Sequence, residues 1–226
     1  AFLTYAKRVF FANGIHHHYS NDKFVPGFSS DYFAALVSGS DAARLPLKEG
    51  QSVTDLTAML TPVLFDPALY AKRVDQSDGI DMITASANNF YEGVTQAEVE
   101  AFYGSLADPA ETRPVSWGLN TKVVKVDGKV TEIPWKSGGM YGQAIDKIVY
   151  WLEKARDVAL SETQKHELDL LVQYYRNGDL KTWDEYNVVW AGNTGLSVDY
   201  INGFIETYGD PMGMKATWEA VVDYKD

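Results

Sequence analysis

Asp127-Gly128 sits between two β-branched runs, and no other feature constrains the fold of this chain as tightly. Aspartate-glycine accepts the left-handed backbone of a two-residue hairpin turn. The flanking runs, Trp117 to Val126 and Val130 to Trp135, read as its paired strands. Most of the remaining chain repeats at helical spacing. Ser29 caps a helix carrying Tyr32, Phe33, Leu36 and Val37. Capping-box pairs, Ser52 with Asp55 and Thr95 with Glu98, open helices through Leu56, Met59, Leu60, Val63 and Leu64 and through Val99, Phe102 and Leu106. Asp66-Pro67 ends the first of these and starts a short helical turn, and the brief apolar run from Ile80 to Ser86 reads as a strand. After Ser137-Gly138-Gly139 a long helix carries Tyr141, Ile145, Ile148, Leu152 and Ala155. Ser161 with Gln164 caps the next, through Leu168, Leu171 and Tyr175 to Asn177-Gly178, and Asp179 caps a third with Trp183, Tyr186, Val189 and Trp190. Helices dominate and strands cluster after residue 115, an α+β pattern rather than alternating βαβ units.

The chain has 226 residues, no cysteine and a net charge of −11. Its 46% hydrophobic and 23% charged residues give a globular composition. The core must hold without disulfides, which a chain of this size achieves by burying roughly 70% of its unfolded surface. Missing cysteine also removes thiolate metal sites and a cysteine nucleophile, and leaves the compartment open, with the cytoplasm favoured. The acidic balance excludes nucleic acid, whose phosphates call for a basic surface. No apolar run approaches the ~18 residues of a membrane span, and no signal peptide heads the chain.

Both ends read as cuts. Phe2, Leu3, Tyr5, Ala6, Val9 and Phe10 form a helix stopped at Asn13-Gly14, yet nothing caps its start. Met214, Trp218, Val221 and Val222 mark a second amphipathic helix that runs to Asp226 with no stop. A processed protein with frayed terminal helices is the alternative.

Two histidine motifs are better explained without metal. In an extended loop His16 and His18 share one face and His17 the other, and two imidazoles fall short of the three or four ligands zinc takes. A polar, hydrogen-bonded loop accounts for His16-His17-His18. His166-Glu167 spells the start of a zinc-peptidase helix, but the second histidine expected one turn later is replaced by Leu170 and Leu171. Six tryptophans and 14 tyrosines raise the possibility of a recognition surface, but most lie at helical spacing and belong to the core.

Asp199 to Asp210 carries the chemistry. Read as a strand, it puts Tyr200, Asn202, Phe204, Glu206 and Tyr208 on one face and Ile201, Gly203, Ile205 and Thr207 on the other, with the isoleucine face in the core. Gly203 lets another backbone approach. Glu206 and Tyr208 then project together, about 7 Å apart, before the turn at Gly209, Pro211 and Gly213. Pattern alone favours an ordinary amphipathic strand with a solvated edge, and a helix is also open.

The run Phe204-Ile205-Glu206-Thr207-Tyr208, followed by Asp210-Pro211 and Gly213, resembles a segment of the dipeptidyl peptidase III family of zinc exopeptidases. Tyr19-Ser20, Lys23-Phe24-Val25-Pro26 and Leu152-Glu153-Lys154-Ala155 match in the same order, and the histidine-rich loop looks bacterial rather than animal. The resemblance implies two lobes around a cleft. The His-Glu-x-x-Gly-His helix and Glu-Glu-x-Arg-Ala segment of the family's zinc lobe do not occur in this sequence. Residues 1–226 are therefore expected to form part of the other, substrate-binding lobe, helix-rich around a small β-barrel or antiparallel sheet and incomplete. Zinc belongs to the intact enzyme and none to this piece, which is expected to be inactive alone. The implied partners are short peptides and the zinc lobe of the same polypeptide. By the family's pattern Glu206 holds the free ammonium of the peptide's first residue, and Tyr208 is the catalytic residue that steadies the oxyanion at the scissile carbonyl. Gly209 stands where animal members carry arginine, so that positive charge is missing from this chain.

Two other functions compete. One is a non-catalytic peptide- or protein-binding module built on the same lobe. The other is a carbohydrate-active protein pairing Glu206 with Asp184 or Glu185, although nothing in the sequence sets the carboxylate separation.

Overall fold

Hydroxyl and carboxylate side chains start the helices where the sequence places them. The computed structural model describes residues 1–225, in one unit over Ala1–Ala87 and a second from Asn88 onward.

The first unit holds α1 (Phe2–Phe11), α2 (Ser30–Ser38), a 3-10 turn (Ala42–Arg44), α3 (Val53–Phe65) and α4 (Met82–Ala85). The Ser29 side chain accepts from the Tyr32 amide, and Ser52 and Asp55 exchange both bonds of a capping box. Phe28 gathers the core, meeting Phe2, Tyr5, Tyr32 and Phe65 edge-on at 5.6–6.0 Å. Three expectations fail in this unit. Ile80 to Ser86 is not a strand, because Asp81 caps α4 by accepting from the Thr84 amide. No helical turn follows Asp66-Pro67. On α1 only Tyr5 is buried, while Leu3 and Phe10 stand 73% and 79% exposed. The histidine loop is polar and hydrogen-bonded, as expected. His16 Nε2 lies 2.7 Å from the Tyr70 carbonyl oxygen, with burial lowering its pKa, and His17 Nδ1 accepts from the amides of Tyr19 and Ser20.

The second unit runs β1 (Tyr91–Glu92), α5 (Gln96–Gly104), β2 (Thr121–Val126), β3 (Lys129–Pro134), α6 (Gly142–Asp157), α7 (Glu162–Asn177), α8 (Leu180–Gly192), β4 (Val198–Glu206) and β5 (Thr217–Tyr224). The hairpin forms as expected: β2 and β3 pair from Thr121↔Pro134 to Val126↔Lys129, and Asp127 and Gly128 both take left-handed φ values, 50° and 78°. β1 adds to β2 in parallel, giving the order β1-β2-β3. Helix α7 packs against α6 on one side and α8 on the other. It buries Leu168, Leu170, Leu171, Val172, Tyr174 and Tyr175, so apolar residues encircle most of it, as a central helix requires.

The far end departs from its sequence reading. Thr217–Tyr224 is a strand, not a helix, and pairs antiparallel with β4 from Val198↔Tyr224 to Glu206↔Thr217. The spacing of Trp218, Val221 and Val222 suits either form, and the ladder with β4 decides. The chain is α+β, as the sequence implies, with two open sheets and no closed barrel among the described residues.

Candidate functional site

Strand β4 carries the segment singled out in the sequence, but with its faces exchanged. Phe204 is buried, its ring 5.1 Å from Trp135 and 6.4 Å from Tyr175. The Tyr175 hydroxyl donates to Asn202 Oδ1 at 2.6 Å and accepts from Trp218 Nε1 at 2.8 Å. Ile201 is 37% exposed. The face of Asn202 and Phe204, not the isoleucine face, is therefore anchored in the core. Gly203 admits an indole rather than a backbone: a Cβ there would lie 2.2 Å from Trp183 Cη2.

Glu206 is the last residue of β4 and is half-buried. Its carbonyl oxygen accepts from Thr217 Oγ1 at 3.3 Å. The ladder is irregular between Phe204 and Glu206, with Ile205 as the extra residue. That bulge re-aims the side chains that follow it. Tyr208 lies past the strand end, 54% exposed, so the pair straddles the junction of strand and turn instead of sharing one extended strand.

Tyr208 and Gly209 are the central residues of a turn closed by the Asp210 amide on the Thr207 carbonyl, 3.0 Å. A second turn follows, from the Gly213 amide to the Asp210 carbonyl, also 3.0 Å. The Asp210 carboxylate, 2% exposed, organises both. Its Oδ2 accepts from the amides of Met214 and Lys215 at 2.8 and 2.7 Å and from the Tyr91 hydroxyl at 2.8 Å, and its Oδ1 accepts from the Met212 amide at 3.1 Å. Beside the turn, Thr207, Gly213 and Met214 face Val115, Trp117 and Leu119 across an open pocket of about 360 Å³.

Lys215 escaped the sequence reading. Its side chain is fully buried, and its ammonium donates to the Tyr103 hydroxyl and, at 2.9 Å, to Thr121 Oγ1. Tyr103 in turn donates to Glu132 Oε1 at 2.5 Å, and the Glu132 carboxylate lies 3.8 Å from the ammonium. The Tyr103 and Tyr91 rings add cation–π contacts at 4.6 and 5.8 Å. Burial pulls the ammonium down to about 8, against the opposing pull of the Glu132 and Asp210 carboxylates. The adjacent Asp210-Pro211 and Gly213 were visible in the sequence. The partners of Lys215 and Asp210 were not, because they come from α5, β1, β2 and β3.

Six tyrosines of this unit, Tyr91, Tyr103, Tyr174, Tyr175, Tyr186 and Tyr200, are held above the ordinary phenol value of 10.0, burial being the first cause in each. The folded state thus keeps protons that the unfolded chain gives up near pH 10, and stability falls as pH rises beyond that value. Lys215 acts with the opposite sign. Its amine is lowered from 10.5 to about 8, so its contribution rises between those two values. Six phenols outweigh one amine, and the unit is expected to unfold cooperatively above pH 10. Tyrosinate absorbance near 295 nm and loss of circular dichroism should rise together for these residues; their smooth titration within a native fold would contradict this account.

Other acidic candidates are engaged elsewhere. Asp184 accepts from the amide and hydroxyl of Ser116 at 3.3 and 2.8 Å. Glu167 is fully buried and accepts from Asn193 Nδ2 at 3.0 Å. Among the described residues, no group of three or more His, Cys, Asp or Glu side chains is placed to hold a metal ion. Among them, too, no helix is long and apolar enough to cross a membrane.

Residues 105–226, more than half of the chain and including the whole β4–β5 segment, match peptidase family M49, and the chain belongs to that family. The family is zinc-dependent, but the described residues do not fit a zinc site. The chain is similar to dipeptidyl peptidase 3 of Mus musculus, 26% identical over 243 residues that take in 98% of this chain and 33% of the mouse protein. It is similar also to dipeptidyl peptidase 3 of Homo sapiens, 25% identical over 247 residues, with the same shares of the two chains. It thus spans about a third of the length of the curated relatives it matches. Among solved structures it is similar to dipeptidyl-peptidase III from Corallococcus sp. strain EGB, at 26% identity and a TM-score of 0.48, over 70% of this chain and 28% of that one.

Proposed function

We propose that this chain supplies the substrate-anchoring lobe of a dipeptidyl peptidase that removes dipeptides from the amino ends of short peptides. The observation that carries the reading is membership in a peptidase family through a match that includes Glu206 and Tyr208. Glu206 is the ammonium anchor. A half-buried carboxylate facing an ammonium makes a charge-assisted bond stronger than a neutral one. Such an anchor counts residues from the peptide's free end and so fixes which bond is presented for cleavage. Tyr208, two residues on, donates its phenolic proton in a hydrogen bond to the carbonyl oxygen of that bond. A neutral donor held in place before reaction favours the oxyanion over the ground-state carbonyl. The metal is held by polypeptide other than the described residues, whose own part in the reaction falls to Glu206 and Tyr208.

The supporting experiment uses the zinc-loaded full-length protein and a matched pair of short peptides, one with a free amino end and one acetylated. Release of a dipeptide from the free peptide, with the acetylated one left intact, is expected. Equal cleavage of both, or cleavage of neither, contradicts the reading; binding of the free peptide without cleavage favours the non-catalytic module.

A further inference from the structure

The turn that carries Tyr208 has few contacts of its own, and its shape is imposed from beneath. Asp210 closes that turn through its amide, and its carboxylate collects three further amides, of Met212, Met214 and Lys215. The same carboxylate is tied to β1 through the Tyr91 hydroxyl. Lys215, five residues on, enters the core and is held by Tyr103 of α5, Thr121 of β2 and Glu132 of β3. Just beyond it the Ala216 amide donates to the Leu119 carbonyl at 3.0 Å. The segment from Thr207 to Lys215 is therefore pinned to the three-stranded sheet at both Asp210 and Lys215. Fully burying an ammonium is costly, and a buried methionine of similar length would fill the space without that cost. What methionine lacks is direction: an ammonium fixes its position by its hydrogen bonds, and with it the backbone at Lys215 to which Asp210 is bonded.

We propose that Lys215, acting through Asp210, is a positioning residue for Tyr208: the buried pair clamps the Thr207–Lys215 segment to the β1–β2–β3 sheet and thereby sets where the Tyr208 hydroxyl meets the substrate carbonyl. The proposal rests on the role assigned to Tyr208 above. Its signature is selective. Displacing a donor by a fraction of an ångström weakens a contact made in the transition state and leaves ground-state binding through Glu206 largely intact.

A double-mutant cycle in the zinc-loaded full-length protein tests it, with Lys215→Met, Tyr208→Phe and the two combined. Lys215→Met is expected to lower kcat on the order of 10- to 100-fold with KM little changed. On the Tyr208→Phe background it should cost almost nothing further, because the group it positions is gone. Lys215→Arg, which keeps a buried cation with hydrogen-bond donors, should recover part of the lost turnover. If Lys215→Met does not fold, Tyr91→Phe removes one bond to Asp210 and is judged by the same two readouts. A loss that multiplies in full with that of Tyr208→Phe overturns the proposal, as does an unchanged kcat in Lys215→Met while Tyr208→Phe is impaired. A silent Tyr208→Phe removes the role of Tyr208 itself, and the clamp's catalytic role falls with it.

Discussion

Tyr208→Phe in the full-length, zinc-loaded protein is expected to lower kcat by about 100-fold or more, the scale on which a single oxyanion donor matters. KM should move less than about threefold, since a contact that strengthens only as charge develops contributes little to ground-state binding. The substitution removes one oxygen and keeps the ring, and the side chain is already 54% exposed, so the fold has little to lose. Melting temperature is expected to stay within about 2 °C, on the small scale of exposed substitutions. Steady-state kinetics on a chromogenic dipeptide substrate separate the two constants. Unchanged turnover takes Tyr208 out of the reaction; a raised KM with normal kcat makes it a binding residue instead.

The second large effect concerns the strand that presents the site. Gly203→Ala is expected to destabilise the second unit by about 3 kcal/mol, the upper range for overpacking a filled core. The added methyl would lie 2.2 Å from Cη2 and 2.7 Å from Cζ3 of Trp183. Trp183 has nowhere to retreat, because its ring is 4.9 Å from that of Tyr174 and 5.3 Å from that of Tyr186, all three buried. Relief must come from β4 itself, and Glu206 lies three residues along it. Gly195→Ala provides the control: its Cβ meets nothing within 4 Å, and it should sit within about 0.5 kcal/mol of wild type. Urea unfolding of the two variants measures both. Equal stability would mean that the indole does not hold its position against β4.

Elements set by neighbouring residues were legible in the sequence. The Asp127-Gly128 hairpin and the caps at Ser29, Ser52, Thr95, Ser161 and Asp179 depend on contacts within four residues and form as the local chemistry dictates. Elements set by distant partners were misread. Thr217–Tyr224 has apolar spacing that suits a helix, and β4 makes it a strand. Period-2 alternation divided β4 into the right two faces but could not say which one faces Trp135 and Tyr175, two residues that arrive from elsewhere in the chain. Ile80 to Ser86 is a different failure: Asp81 with Thr84 is a readable cap that the short apolar run obscured. In the candidate site, Glu206 and Tyr208 stood out through a local motif, whereas Lys215 and its partners Tyr103 and Thr121, over 90 residues away, left no trace in the local pattern.

Recognition of a peptide's amino end by Glu206 is the claim on which the rest depends, and one measurement reaches it directly. The affinities of matched free and acetylated peptides are compared in the wild-type full-length protein and in Glu206→Gln, which keeps the shape and removes the charge. The wild type is expected to prefer the free peptide by about 10-fold or more, the worth of a charge-assisted bond in a partly desolvated setting. Glu206→Gln should bring the two peptides to within about twofold of each other, chiefly by weakening the free one. A wild-type preference that persists undiminished in Glu206→Gln would place the ammonium against another group and contradict the assignment.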